Sequence, residues 1–191
     1  MNGGLIEDVI VRNGRIILHR PLSTIGGLVG RANGANIVDT RVERMYMGGS
    51  GYRGGIVGFA DRTTVSYSHV HNTTITLWIT RYNRSAGGIV GVAQNGSVVS
   101  HSGVLNVTLR FNGSDNISNR DLAPRIGLIV GNLDRSSVMH VGQEGSSINR
   151  GTLQNYRWGL FNNNSNDQRR NVGNGGPWGS VGRTSGTVVI I

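Results

Sequence analysis

A glycine-rich pentad recurs along the chain: Gly26-Gly27-Leu28-Val29-Gly30, Gly54-Gly55-Ile56-Val57-Gly58, Gly87-Gly88-Ile89-Val90-Gly91 and Gly127-Leu128-Ile129-Val130-Gly131. Internal repetition at intervals of a few tens of residues marks a repeat architecture and outranks any local propensity. The block starts lie 28, 33 and 40 residues apart, yet a constant portion follows each one. Counted from the last glycine, the second position is Ala32, Ala60, Ala93 or Leu133 and the third is Asn33, Asp61, Gln94 or Asp134. The seventh is Ile37, Val65, Val98 or Val138. This reads as one register shared by four copies without a gap. The variation in length then falls into Tyr46–Arg53, Thr73–Ala86 and Asn106–Arg125, which a repeat protein gathers on one side.

Within each copy apolar residues alternate over short distances. Ile75, Leu77 and Ile79 are expected to face one way, and Thr74, Thr76, Trp78 and Thr80 the other. In the matching segment Val107, Leu109 and Phe111 point inward, Thr108 and Arg110 outward. No stretch sustains a 3.6-residue helical stripe. Three short strands per repeat, separated by Gly, Asn and Asp turns, predict an all-β solenoid, a β-helix of four to five coils, right-handed by preference. A β-propeller fits poorly, because its blades of ~40–50 residues exceed the first interval. Glycine is expected to serve two ends, corners with positive φ and close approach of backbones.

Residues 1–161 read as the repeats. Leu5–Leu18 is a partial first copy in which Ile10 corresponds to Val42 and Val70, and a degenerate fifth copy begins at Trp158-Gly159-Leu160-Phe161. Residues 162–191 read as a polar cap or loop followed by a terminal strand, Thr187, Val188, Val189, Ile190 and Ile191. That strand has three possible fates: folding back on its own solenoid, adding to a neighbouring molecule, or leading into a further part of a longer protein.

Composition narrows the function classes. Glycine makes up 31 of 191 residues with only 3 prolines, and no Gly-X-Y period points to collagen. Cysteine is absent, which removes disulfides, cysteine zinc sites and thiol nucleophiles. No apolar run is long enough for a membrane-spanning helix, so no membrane insertion is expected. The start Met1-Asn2-Gly3-Gly4 lacks the pattern of a signal peptide. The formal charge is +9, and all 19 basic residues are arginine.

The GG(L/I)VG pattern, with its polar turn and its Ile or Val seven residues on, resembles the GLUG repeat of bacterial surface proteins, found in immunoglobulin A peptidases and adhesin-like proteins. The resemblance covers Leu5–Val141, and the degenerate copy extends it to Phe161. It implies a β-helical, extracellular or cell-surface module. The departure at Leu128, where a glycine is expected, and the longer insertion before it put regular coiling beyond Val141 in question.

Several site chemistries were weighed on the residues. The column two places after the seventh position holds Asp39, Tyr67, Ser100 and His140, which would set Ser100 beside His140. No orienting carboxylate and no G-x-S-x-G elbow accompany that pair, so no catalytic residue is expected. His69, His71, His101 and His140 read as different column positions without a recognised ligand spacing, and neither metal nor cofactor is expected. Pectin-cleaving β-helices need clustered carboxylates, and only 10 acidic residues occur. An ice-binding array of threonines is interrupted by Arg44, Tyr46 and Arg110.

The basic excess is the stronger lead. Trp78, Arg81, Tyr82, Arg84, Arg110 and Phe111 cluster in and beside the insertions, a mixture suited to an anionic glycan. Arginine serving simply as the solvating cation of the whole surface is the plainer reading. No recognition helix or RNP-like motif supports specific nucleic-acid binding. Asn72, Asn83, Asn95, Asn106, Asn112, Asn116 and Asn163 begin N-x-S/T sequons, candidate glycosylation sites that Gly- and Asn-rich turns also generate by composition. The leading expectation is a non-enzymatic adhesive or structural module of a secreted protein. The alternative is a self-assembling subunit of a filament or surface layer.

Overall fold

The computed structural model describes residues 1–20, 23–78, 85–112, 125–149 and 187–190. Among them the regular structure is entirely β, in successive passages of very short strands. The first passage is β1 (Leu5–Glu7), β2 (Ile10–Arg12) and β3 (Arg15–Leu18). The second is β4 (Thr24–Gly26), β5 (Val29–Asn33), β6 (Asn36–Val38), β7 (Arg41–Glu43) and β8 (Tyr46–Gly49). The third is β9 (Tyr52–Gly54), β10 (Val57–Asp61), β11 (Thr64–Ser66), β12 (His69–His71) and β13 (Thr74–Trp78). The fourth is β14 (Ser85–Gly87), β15 (Val90–Gln94), β16 (Val98–Leu105) and β17 (Thr108–Asn112), and the fifth β18 (Arg125–Gly127), β19 (Val130–Asp134), β20 (Ser137–Glu144) and β21 (Ser147–Asn149). Strand β22 (Thr187–Ile190) comes last.

Each strand pairs in parallel with its counterparts in neighbouring passages. Four curled sheets result. They are built from β4-β9-β14-β18, from β5-β10-β15-β19, from a 9-stranded sheet holding both middle strands of each passage, and from β3-β8-β13-β17-β21. This is a β-helix-like stack in which the core is a set of files running across the sheets. One file is Val29, Val57, Val90 and Val130; another is Ala32, Ala60, Ala93 and Leu133. The second and third passages carry five strands and the fourth and fifth carry four, rather than three, because the middle stretch is divided at a corner in the former and runs through as β16 or β20 in the latter.

The expected register fails at two places. Val65 pairs with Val99, and Val99 with Val138, so Val98 is not the core member of the third copy. The reason is one extra residue, Gly96, between the second and third sheets. Ser97, not Gly96, takes the corner place next to Thr63, whose backbone N–H donates to the Ser97 hydroxyl at 3.1 Å. A one-residue slip exchanges inner and outer faces in a strand. For the same reason Val11, not Ile10, lies opposite Val42, and Ile10 is exposed.

The glycine blocks work by proximity. None of Gly26, Gly27, Gly54, Gly55, Gly87 or Gly88 has positive φ, contrary to one of the two expected roles. A Cβ on Gly27 would overlap the carbonyl oxygen of Gly55; on Gly55, that of Gly88; and on Gly88, that of Leu128. The first and second sheets meet here at so sharp an angle that backbone stacks on backbone. Leu128 is tolerated because no further passage lies on it among the described residues, and there its side chain is buried.

Positive φ is concentrated instead at three other corners. They are occupied by Gly34, Arg62, Asn95 and Arg135; by Asp8, Asp39, Tyr67, His101 and His140; and by Asn13, Arg44, Asn72, Asn106 and Gly145. The following residue is often a buried Ser or Thr. The Thr40 hydroxyl donates to Ser68 Oγ at 3.0 Å, and the Ser68 and Ser102 hydroxyls donate to the Ser66 and Ser100 carbonyls at 2.8 and 2.6 Å. Such hydroxyls satisfy the backbone groups that a sharp corner takes out of the ladder.

Candidate binding face

Correcting the register removes the only nucleophile considered. Ser100 pairs with Ser66 and Met139, and is buried; His101, not Ser100, occupies the corner file with Tyr67 and His140. Tyr67 and His101 stack at 4.8 Å between ring centroids and 14° between planes, and His101 and His140 at 4.7 Å and 19°. His101 and His140 thus share one file, where different positions had been expected.

His69 and His71 lie on the same sheet, both outward, with ring centroids 6.1 Å apart. Burial is the main cause lowering the His69 pKa, reinforced by His71 and Arg41 and opposed by Asp39 and a hydrogen bond to the Tyr67 backbone. Among the described residues no group of three or more His, Cys, Asp or Glu could hold a metal ion.

Of the six residues expected to bind glycan, the fourth sheet holds Trp78, Arg110 and Phe111. Trp78 ends β13 and Arg110 lies in β17, where Thr76 pairs with Arg110 and Trp78 with Asn112. Ile75, Leu77 and Leu109 point into the core, so Thr74, Thr76, Trp78 and Arg110 take the outer face. Arg110 is exposed. Trp78 packs on His19 at 4.7 Å, and Arg15 lies 5.4 Å from the centroid of the Tyr46 ring. The Tyr46 and Trp78 rings meet over Gly48, where a Cβ would stand 3.2 Å from Tyr46 Cε1 and 3.5 Å from Trp78 Cζ2. Beneath this cover Thr76 Oγ1 is buried without a hydrogen-bond partner. Phe111 is a core residue and drops out of the contact surface. Arg81, Tyr82 and Arg84 lie outside the described residues.

The chain leaves and rejoins the sheets between the fourth and the first, at residues 19–23, 50–51, 79–84 and 113–124. Trp78 and Asn112 are the last described residues before two of these intervals. The remaining described arginines are dispersed: Arg12 and Arg41 reach Glu43 at 2.9 and 3.5 Å, and Arg62 reaches Asp61 at 3.5 Å. Asp61 is held below the usual carboxylate range, first by the Gln94 hydrogen bond, with Asn95 and Arg62 adding to it.

Sequence reasoning missed Arg53. It stands in the inward file Ile25, Arg53, Ala86 and Ile126 and is fully buried. Its guanidinium donates to the Ser23 and Tyr52 carbonyls at 2.8 Å each, to Ser23 Oγ at 3.0 Å and to the Ser50 carbonyl. Burial lowers its pKa to about 10, so it stays protonated at neutral pH. Among the described residues no carboxylate pairs with it, and carbonyl dipoles solvate its charge. The available signal was Arg at a file position otherwise apolar.

Asn72, Asn106 and Asn112 are exposed, Asn95 is partly buried, and Asn83, Asn116 and Asn163 lie outside the described residues. Asn106 donates to Asn72 Oδ1 at 3.3 Å, so these two sequons are stacked neighbours. Thr187–Ile190 pairs in parallel with β20 of its own chain, while Ile191 lies outside the described residues. Compared with known proteins, the chain matches no family model, no curated protein sequence and no solved structure.

Proposed function

We propose that the chain is a non-enzymatic, GLUG-like β-solenoid module of an extracellular or cell-surface protein, which binds an anionic glycan on its fourth-sheet face. In this reading the solenoid is right-handed, has four to five coils, and is capped by its C-terminal segment. The observation that carries the proposal is the joint position of Trp78 and Arg110 on the outer face of two paired strands, close in sequence to the insertions. An aromatic ring offers a sugar an apolar face, and a planar guanidinium offers its carboxylate or sulfate two parallel donors. Arg81, Tyr82 and Arg84 extend the same chemistry into the insertion.

The test is retention on immobilised polyuronate and heparin over a salt gradient. Retention should weaken as salt rises, and R110A and W78A should each shorten it, while R12A on another face should not. Unchanged retention of R110A and W78A, or no retention at low salt, removes the proposal.

A second reading, self-assembly, rests on a separate observation. Strands β1, β2 and β3 pair on one side only among the described residues, and they expose Leu5, Ile10 and Leu18. Open edges template further pairing. Light scattering over a range of protein concentrations decides it: growth in mass supports assembly, and a constant monomer excludes it.

A further inference from the structure

The strand β12 places His69 and His71 on one outer face with Val70 buried between them, the alternation that a strand imposes. A divalent transition metal sits ~2.0–2.1 Å from an imidazole nitrogen, hence about 3.2 Å from the ring centroid. Two ligands around one ion then have centroids about 5.2 Å apart at the tetrahedral angle and about 6.4 Å apart when opposed. The observed 6.1 Å lies within this span.

The space beside the His69 ring is open. Gly103, the cross-strand partner of His69, has no side chain to fill the space beside it, and a Cβ there would stand 3.6 Å from His69 Cδ2. The carboxylate opposite His71 is Glu43, which Arg12 and Arg41 already engage, and Asp39 is the other acid that acts on His69. His101 and His140 are stacked with only 19° between their planes, so no ion beside the pair lies in both ring planes, where the nitrogen lone pairs point.

We propose that His69 and His71 form a two-imidazole chelate for a divalent transition metal, with water completing the shell. The affinity order expected for such ligands places Cu2+ first, ahead of Ni2+ and Zn2+. The site lies on the third sheet and is independent of the glycan reading of the fourth.

The test is calorimetric titration of the metal-free full chain with Cu2+ and, separately, Zn2+ at neutral pH, with copper spin resonance reporting nitrogen ligation. One site per chain is expected. H69Q and H71Q should each weaken it at least tenfold, whereas H101Q and H140Q should change it less than twofold, with far-UV circular dichroism unaltered. Lowering the pH to about 5.5 should weaken binding as protons compete for the rings. Binding that survives the double substitution of His69 and His71, at the Met1 amino group or elsewhere, overturns the proposal, and so does the absence of binding.

Discussion

Gly88 lies directly against the carbonyl of Leu128 in the next passage, with no room for a Cβ between them. The same relation links Gly55 to Gly88 and Gly27 to Gly55, so one file of glycines sets the spacing of the whole stack at this edge. A side chain there must push two hydrogen-bonded backbones apart, and the N–H of Gly55 donates to the Gly88 carbonyl at 3.1 Å.

Gly55→Ala is accordingly expected to cost about 3 kcal/mol, the upper range for overpacking, because the obstructing atom is backbone and cannot rotate away. Leu128→Ala should act by the opposite route, opening a cavity at a cost of about 2–3 kcal/mol. Urea denaturation separates the sites: Gly34→Ala, at a corner with open space but φ of +62°, should cost only about 1 kcal/mol. Equal losses at Gly34 and Gly55 would refute the backbone-contact explanation.

The pentads were legible because close approach admits a single residue type, which leaves an unmistakable trace. Corners were less legible because the left-handed conformation is filled here by Asp, Asn, Arg, Tyr and His as well as glycine. Gly96 was therefore invisible as an insertion, and with it the exchange of Ser100 for His101. The alternation of Ile75 and Leu77 with Thr74 and Trp78 was readable, since it depends only on the two-residue period of a strand. Arg53 was not, because its partners are main-chain carbonyls of Ser23, Ser50 and Tyr52, which no side-chain pattern announces.

Arg53→Lys should be nearly as damaging as Arg53→Ala. Lysine has three donors at one point and cannot span carbonyls that a planar fork joins, so either change leaves buried acceptors unpaired. A loss of about 2–4 kcal/mol is expected for both. A stability difference between Arg53→Lys and wild type below about 0.5 kcal/mol, by thermal or urea unfolding, would show that the fork is dispensable.

Ser68→Ala tests the corner hydroxyls. Ser68 accepts from the Thr40 backbone and hydroxyl and donates to the Ser66 carbonyl, at 3.2, 3.0 and 2.8 Å. Removing it should cost about 1–3 kcal/mol, because the partners are buried and water cannot replace it. Ser66→Ala, on the outer side of the preceding strand β11, is the control and should cost less.

Arg62 is exposed and holds a φ of +49°, a conformation that an L side chain adopts at a cost and glycine does not. Its contacts are the Asn33 side chain at 2.9 Å and Asp61 at 3.5 Å, both exposed to solvent on the arginine side and therefore weak. Arg62→Gly should leave stability within about 0.5 kcal/mol of wild type or raise it, whereas Arg62→Val should lower it by about 1 kcal/mol. A clear loss in the glycine variant would mean that the Asn33 contact outweighs backbone strain.

His69 supplies the pH dependence. Burial is the largest cause lowering its pKa in the folded chain, with His71 and Arg41 acting in the same direction and Asp39 against it. The folded value is thus below the unfolded value of ~6.5, and through that window the unfolded chain binds more protons. Stability from this group is complete above the unfolded value and declines as the pH falls through it towards the folded one. Urea midpoints at pH 7.5 and 5.5 should therefore fall further in wild type than in H69Q. Parallel midpoints would mean that His69 meets the same environment folded and unfolded.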